Sequence, residues 1–206
     1  MAEQVERILD ESTAHADPIM QFNTWFAEAV VAQPGLPNAM SLATAIPGGK
    51  PSVRIVLLKH ADAAGFVFYT NYDSRKSREI TLNPNVELCI YWQVLERQVR
   101  VEGIAAKTTA EESDDYFLTR PRESQLGAHA SPQSEIIADR LDLERRFAAL
   151  GKKFEGMVIP RPKHWGGYRV KPSRIEFWQG RQARLHDRLL YTRSADGSWT
   201  IQRLAP

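Results

Sequence analysis

Cysteine is almost absent: Cys89 stands alone in a chain of 206 residues, within the apolar run from Val86 to Trp92. A single thiol forms no intrachain disulfide and supplies at most one ligand to a metal, which excludes disulfide scaffolds and multi-thiolate metal centres and fits a reducing cytoplasm. An excess of charge of one sign is also missing. Lys plus Arg number 27 against 25 for Asp plus Glu, leaving a formal net charge of +2. No broad field then draws nucleic acid or an anionic membrane, and any basic site is local. No apolar run is long enough to span a bilayer, and residues 1–30 carry acidic side chains throughout with no apolar leader stretch. Neither nucleic acid nor membrane is expected as a partner, and a cytoplasmic setting is. The GxGxxG, GxxxxGK(S/T), nucleophile-elbow and HExxH patterns do not occur. The five histidines, His15, His60, His129, His164 and His186, are scattered without metal-ligand spacing, so no metal is expected. If the chain is an enzyme, an organic cofactor is expected to do the chemistry.

What is present reads as one globular domain. At 43% hydrophobic and 25% charged, the composition is that of a packed core. Residues 1–16 are polar and aperiodic and read as a flexible arm, with order expected from Asp17 and a single domain over 17–206. Asp17 before Pro18 is a helix cap, and Phe22, Trp25, Phe26, Ala29 and Val30 recur at helical spacing until Pro34-Gly35. From Met40 to Lys107 the runs MSLATAI, SVRIVLL, GFVFYT, VELCIYW and RQVRVEGIAAK are strand-like, joined by connections short enough to favour antiparallel neighbours. A helix is expected over Ser74 to Leu82. Thr109 to Glu112 has capping-box spacing and opens another that Pro121 ends. A longer helix is expected from about Ser134, with Ile137, Leu141, Leu143, Phe147, Leu150 and Phe154 as its stripe. Strand texture then returns as YRV, RIEFWQ, RLLYTR and SWTIQRL, the last two joined at Asp196-Gly197. The class is α+β, a small antiparallel barrel whose last strands rejoin it after a helical insertion.

Five stretches hold candidate chemistry. Asp73 to Ser77 opens a helix with free N–H groups, hydroxyls, Arg75 and Lys76, which suits a phosphate monoester and equally suits a solvated helix start. Arg54 and Lys59 bracket four apolar residues and point to opposite faces of a regular strand, so a shared ligand needs a reorienting strand end or a second chain. Gln98, Arg100 and Glu102 share the polar face of an alternating strand, where an amide can meet the edge of a heteroaromatic ring. Tyr116 and Arg120 lie at i,i+4 with Ser124 just beyond, either a second anion site or an exposed helix end. Trp178 precedes Arg184, His186 and Arg188, which project from one face if that run is extended. Such a row of cations calls for an anionic ligand, or else edges the sheet with solvated charge.

Taken together, RIVLLK (Arg54 to Lys59), FYTN (Phe68 to Asn71), SRK (Ser74 to Lys76), ERQV (Glu96 to Val99), RPRESQLGA (Arg120 to Ala128), QS (Gln133-Ser134), IEFWQG (Ile175 to Gly180), RLHDR (Arg184 to Arg188) and the terminal RLAP resemble the pyridoxine/pyridoxamine 5′-phosphate oxidase family, in order from about Pro37 to the end. The resemblance implies a Greek-key-like antiparallel split β-barrel with flanking helices, dimerised through its C-terminal strands, with FMN at each of two subunit interfaces. The FMN contacts it implies fall on Arg54, Lys59, Tyr69, Thr70, Arg75, Lys76, Gln98, Gln133, Ser134, Trp178 and Arg188. Substrate contacts fall on Lys59, Tyr116, Arg120, Ser124, Arg184 and His186, the last two serving as the catalytic pair. The implied reaction is hydride transfer from the alcohol- or amine-bearing carbon of a phosphorylated B6 vitamer to flavin N5, with dioxygen then reduced to hydrogen peroxide. Two features depart from the family pattern: the arm has only Arg7 and no Tyr, and Leu36 replaces an acidic residue before Pro37. The alternatives are a related flavin oxidase acting on a larger, phenazine-type substrate and a protein that binds FMN or pyridoxal phosphate without oxidising it.

Overall fold

A computed structural model gives the fold and describes residues 8–206. Among them the elements run α1 (Pro18–Ala32), β1 (Ala39–Thr44), β2 (Ser52–Leu57), β3 (His60–Asp62), β4 (Gly65–Asn71), α2 (Arg75–Leu82), β5 (Asn85–Trp92), β6 (Arg97–Lys107), α3 (Ala110–Thr119), α4 (Arg122–Ala130), α5 (Arg140–Lys153), β7 (Trp165–Gln179), β8 (Asp187–Arg193) and β9 (Trp199–Arg203). Every strand pair is antiparallel, in the order β2-β1-β5-β6-β7-β4-β3, with β8 beside β7 and β9 beside β8. β2 and β3 stand at opposite ends of that order, yet only Leu58 and Lys59 separate them in sequence. The sheet must therefore curl until its ends meet. Leu58 N–H donates to Asn38 O and Lys59 N–H to Val67 O of β4, each at 2.8 Å, which closes the seam. This is the α+β antiparallel split barrel that the sequence suggests.

The local signals act as their chemistry requires. Asp17 accepts from Ile19 N–H at 2.8 Å ahead of Pro18. Thr109 and Glu112 form the reciprocal capping box of α3, and Arg120 ends it before Pro121. The last helix differs from expectation. It starts at Arg140, capped by Asp139, because Ser134 has a left-handed backbone (φ 72°) that breaks any helix begun there. YRV and RIEFWQ prove to be one strand. β7 runs through Pro172 because a register shift beside Gly103 relieves the missing N–H, and a Cβ on Gly103 would come within 2.4 Å of Lys171 O.

Of the arm, residues 1–7, Arg7 included, lie outside the described residues. Residues 8–16 are seated on β8 and β9: Leu9 is buried, its N–H donates to Asp187 (3.3 Å), and Tyr191 OH donates to His15 O (2.7 Å). Packed chain thus begins ahead of Asp17. The main core sits inside the curl, where Phe22 meets Phe66 edge-on at 4.9 Å and Trp25 meets Phe177 at 5.3 Å. A second core of Phe117, Leu126, Phe154, Ile159 and Trp165 fastens α3, α4 and the end of α5 to the start of β7. Each such side chain contributes about 1.5–3 kcal/mol by burial. This smaller core builds the wall of the site. No described helix is long and apolar enough to cross a membrane.

Candidate active site

A cavity of about 480 Å³ opens between the exit of β2, the middle of β4, the start of α2, the junction of α3 with α4, and the start of β7. Lys59, Tyr69, Thr70, Lys76, Tyr116, Arg120, Ser124 and Gln133 line it, with Ile55, Val56, Leu57, Thr119, Pro121 and Trp165. Among the described residues three cations face this space, and no Asp or Glu lines it. Such a size and polarity suit a small anionic ligand.

At one end Lys76, 8% exposed, donates to Gln133 Oε1 (2.6 Å), Thr70 Oγ1 (3.0 Å) and Ser74 Oγ (3.2 Å), all neutral acceptors. Burial, and then the charge of Arg54, press its pKa down from 10.5 to about 8. Ser74 does not cap α2 with its side chain, because its hydroxyl donates to Asn71 O at 2.7 Å. The first N–H groups of α2 thus keep their affinity for an external anion. Arg75 is bound through Nε to Glu79 (2.8 Å), and Arg54 is folded onto Thr44, Ser52 and Glu79 instead of lining the cavity.

Along the wall Tyr116, Tyr69 and Trp165 stack nearly parallel, with 4.0 Å between the Tyr69 and Tyr116 centroids and 5.5 Å between Tyr69 and Trp165. Lys59 stands 5.6 Å over the Tyr116 ring and Arg120 stands 4.4 Å over Trp165, so the slab of rings carries a cation at each end. Arg120 Nη1 is buried without a hydrogen-bond partner among the described residues, and burial lowers the guanidinium pKa. A desolvated, unpartnered donor in a carboxylate-free cavity is the local signature of an anion site. Tyr116 and Arg120 do face one space, although Arg120 sits at the cap of α3 with extended backbone.

The other residues singled out from sequence form a second cluster. Gln98 of β6 lies opposite Trp178 of β7, and Trp178 lies opposite Arg188 of β8. The Trp178 and His186 rings are 4.6 Å apart, and His186 Nδ1 accepts from Arg181 N–H at 3.1 Å. Arg188 donates to Glu176 (2.9 Å) and to Ala205 O (2.9 Å). The condition for Arg184, His186 and Arg188 to share one face, an extended run from Arg184 to Arg188, is not met. Residues 182–184 form a 3-10 turn with Ala183 and Arg184 at φ 54° and 62°, and β8 begins only at Asp187, so Arg184 does not share a strand face with His186 and Arg188. Neither Gln98, Trp178, Arg184, His186 nor Arg188 lines the 480 Å³ cavity. Ser134 adjoins it through Gln133 and is itself exposed. Sequence reasoning passed over Trp165, which offered no signal beyond an aromatic before two glycines, and Glu79, whose i,i+4 spacing from Arg75 was legible.

Residues 26–153 match the family described as pyridoxamine 5′-phosphate oxidase, and residues 165–206 match the pyridoxine 5′-phosphate oxidase C-terminal dimerisation region. The chain is 63% identical over 198 residues to a pyridoxine/pyridoxamine 5′-phosphate oxidase of Rubrobacter xylanophilus, covering 96% of this chain and 91% of that protein. It is 57% identical over 200 residues to a protein of the same description from Burkholderia mallei, covering 96% and 93%. Among solved structures, PhzG of Burkholderia lata, in complex with tetrahydrophenazine-1-carboxylic acid, superposes with a TM-score of 0.90 at 32% identity over 97% of this chain and 98% of that one. An FMN-binding protein of Nostoc punctiforme shares the fold, with a TM-score of 0.72 at 17% identity over 90% and 97%.

Proposed function

The chain belongs to the pyridoxamine 5′-phosphate oxidase family, and from that premise we propose that it oxidises pyridoxine 5′-phosphate or pyridoxamine 5′-phosphate to pyridoxal 5′-phosphate with FMN as cofactor. Dioxygen takes up the two electrons as hydrogen peroxide, and the amine substrate consumes one water and releases ammonia. The observation that carries this reading is the cavity itself, with buried Lys76 and unpartnered Arg120 facing a space without carboxylates. Two phosphate monoesters need two such ends.

The residues present fit FMN. Lys76, with Arg75 and the open N-terminus of α2, holds the flavin phosphate, while Thr70, Gln133 and Ser134 border it and Arg54 backs it. Lys59, Tyr116, Arg120 and Ser124 hold the vitamer phosphate, with Lys59 and Tyr69 between the two. FMN when bound supplies the hydride acceptor. The protein's work is to place the substrate carbon against that acceptor and exclude competing poses.

Gln98, Trp178, Arg184, His186 and Arg188 are assigned to the same reaction, although on one chain they lie apart from the cavity. A homodimer resolves this, with the cluster of one subunit completing the cavity of the other. Ile55, on the cavity rim, is 63% exposed in the single chain, as Val53 is at 64%, and a partner would cover both. Gln98, Trp178 and Arg188 would then help hold FMN, and Arg184 and His186 would contact the substrate. Arg184 orients the substrate and stabilises the alkoxide-like oxygen that precedes hydride loss. His186 accepts at Nδ1 from Arg181 N–H, which would leave its Nε2 edge for the substrate.

The phenazine-type alternative draws on the PhzG likeness, and the four-residue set Lys59, Tyr116, Arg120 and Ser124 weighs against it, because a tricyclic carboxylate lacks the phosphate these groups suit. The test is to mix FMN-loaded protein anaerobically with pyridoxine 5′-phosphate, follow the flavin absorbance, then admit air and assay pyridoxal 5′-phosphate. Bleaching, recovery and aldehyde together are expected. Bound flavin that never bleaches with either vitamer would move the search to other substrates or to a binding role.

A further inference from the structure

We propose that Glu79 is a positioning residue for the flavin-phosphate end of the site, fixing the directions in which Arg54 and Arg75 present their guanidinium groups. The inference rests on assigning the start of α2 to the FMN phosphate. Glu79 lies one helical turn beyond Arg75, and its side chain is 8% exposed. Four donors from three elements converge on its carboxylate. Oε1 accepts from Arg75 Nε of α2 at 2.8 Å, while Oε2 accepts from Thr44 Oγ1 of β1 (2.5 Å), Ser52 Oγ of β2 (2.6 Å) and Arg54 Nη2 of β2 (3.3 Å).

The division of these bonds has a geometric result. Arg75 is gripped through Nε, which leaves both of its terminal nitrogens for an outside anion and sets the plane in which they lie. Arg54 is turned the other way. Its Nη1 donates to Leu42 O at 3.2 Å and to Thr44, and its Nη2 to Ser52 and Glu79, so its charge is held beside the anion site with its fork spent on the protein.

Without Glu79, Arg54, Arg75 and Lys76 would be three neighbouring cations with no anion among them. Arg75, 61% exposed, would swing into solvent. The carboxylate is suited to this task because it stays ionised. Burial alone would raise its pKa, but hydrogen bonds from Ser52, Thr44 and Arg75 hold it at about 2. Glu79 does not line the cavity, so it acts through the arginines.

A buried anion near a phosphate site also repels the phosphate, and that effect has the opposite sign to positioning. Two substitutions separate them. Glu79→Asp keeps the charge but withdraws it by one methylene, so it cannot reach all four donors. Glu79→Gln removes the charge and keeps the length, but turns one of the two acceptor oxygens into an amide donor that faces donors. The readout is the Kd of the apoprotein for FMN and for riboflavin, which lacks the phosphate, from quenching of flavin fluorescence.

Glu79→Asp is expected to weaken FMN about tenfold and riboflavin less than about twofold, and Glu79→Gln to weaken FMN in the same direction. Tighter FMN binding in Glu79→Gln with no change in Glu79→Asp would overturn the proposal in favour of simple repulsion. Equal loss of FMN and riboflavin would overturn it in favour of general structural support. Failure of the underlying assignment shows elsewhere, in an unsubstituted protein that binds riboflavin as tightly as FMN.

Discussion

Arg120 and Lys76 are charged groups that the fold removes from water before any ligand arrives, and both pay in stability for what they offer to an anion. For Arg120, whose Nη1 has no acceptor among the described residues and whose pKa burial lowers, an unsatisfied buried donor costs about 1–3 kcal/mol, of which its cation–π contact with Trp165 returns a part, about 0.5–2 kcal/mol. Arg120→Met should therefore raise the Tm of ligand-free protein by about 2–4 °C for each kcal/mol relieved. The same change should raise KM for pyridoxine 5′-phosphate about 10–100-fold, the worth of a charge-assisted hydrogen bond, with FMN affinity kept. Calorimetry and steady-state kinetics on one preparation check both halves, and a fall in Tm would show that Arg120 is held by the stack rather than strained against it.

Lys76 gives a pH signature. Its folded pKa, about 8, lies below the ordinary 10.5, so the unfolded chain binds this proton more tightly. The stability penalty is complete below about pH 8 and fades as pH rises from 8 towards 10.5. Binding runs the other way. A phosphate dianion favours the ammonium, so FMN affinity should be level between about pH 6, where the phosphate loses its second proton, and pH 8, and fall above that by up to about tenfold per pH unit. Riboflavin should show no such fall, and Lys76→Arg, which keeps its charge, should flatten the FMN curve. Fluorescence titrations across that range decide it; parallel curves for FMN and riboflavin would remove Lys76 from the phosphate.

At the scale of elements, α3 presents Tyr116 and Arg120 to the cavity and is started by a reciprocal cap. Thr109→Ala should cost about 1 kcal/mol, which is about 2–4 °C in Tm for a chain of this size. Thr109→Ser should cost much less, because the cap bond to Glu112 N–H survives.

Caps of this kind are why α1 and α3 are legible in the sequence: Asp17-Pro18 and Thr109 are short-range signals that tertiary structure does not overrule, whereas Ser74 precedes α2 with its hydroxyl turned to Asn71 O. The features that escape are decided by contacts distant in sequence or by unusual backbone. Ser134 looks like a helix start, but its φ of 72° belongs to the loop that delivers Gln133 to Lys76. Pro172 reads as a strand break until Gly103, far away in β6, supplies the irregularity that accommodates it. Arg184 looks extended by alternation, yet the turn at Ala183 redirects it. Of the site, the residues in ordered motifs were visible through their family resemblance. Trp165 was not, because only the fold sets it against Tyr69 and under Arg120.

For the whole molecule, the decisive fact is that residues assigned to one reaction fall into two groups on one chain. Lys59, Lys76, Tyr116, Arg120 and Ser124 line the cavity, whereas Gln98, Trp178, Arg184, His186 and Arg188 do not. The second group lies on β6, the end of β7 and the turn into β8, and four of its five members fall within the stretch 165–206 that matches the dimerisation region. In the proposed two-fold dimer the same patch of each subunit would meet its partner, and each active site would draw its cavity from one chain and its second group from the other.

This arrangement has a quantitative test. Arg120→Met disables the cavity half, and Arg184→Ala disables the other, lowering turnover much more than FMN affinity. If the two variants are mixed, unfolded and refolded together, about half of the dimers are mixed. Each mixed dimer holds one site with both defects and one with neither, because the intact cavity of the Arg184→Ala chain meets the intact Arg184 of its partner. Activity should therefore recover to about one quarter of the unsubstituted value, while each variant refolded alone stays low. Were the site built within one chain, every site in the mixture would carry one defect, and mixing would recover nothing.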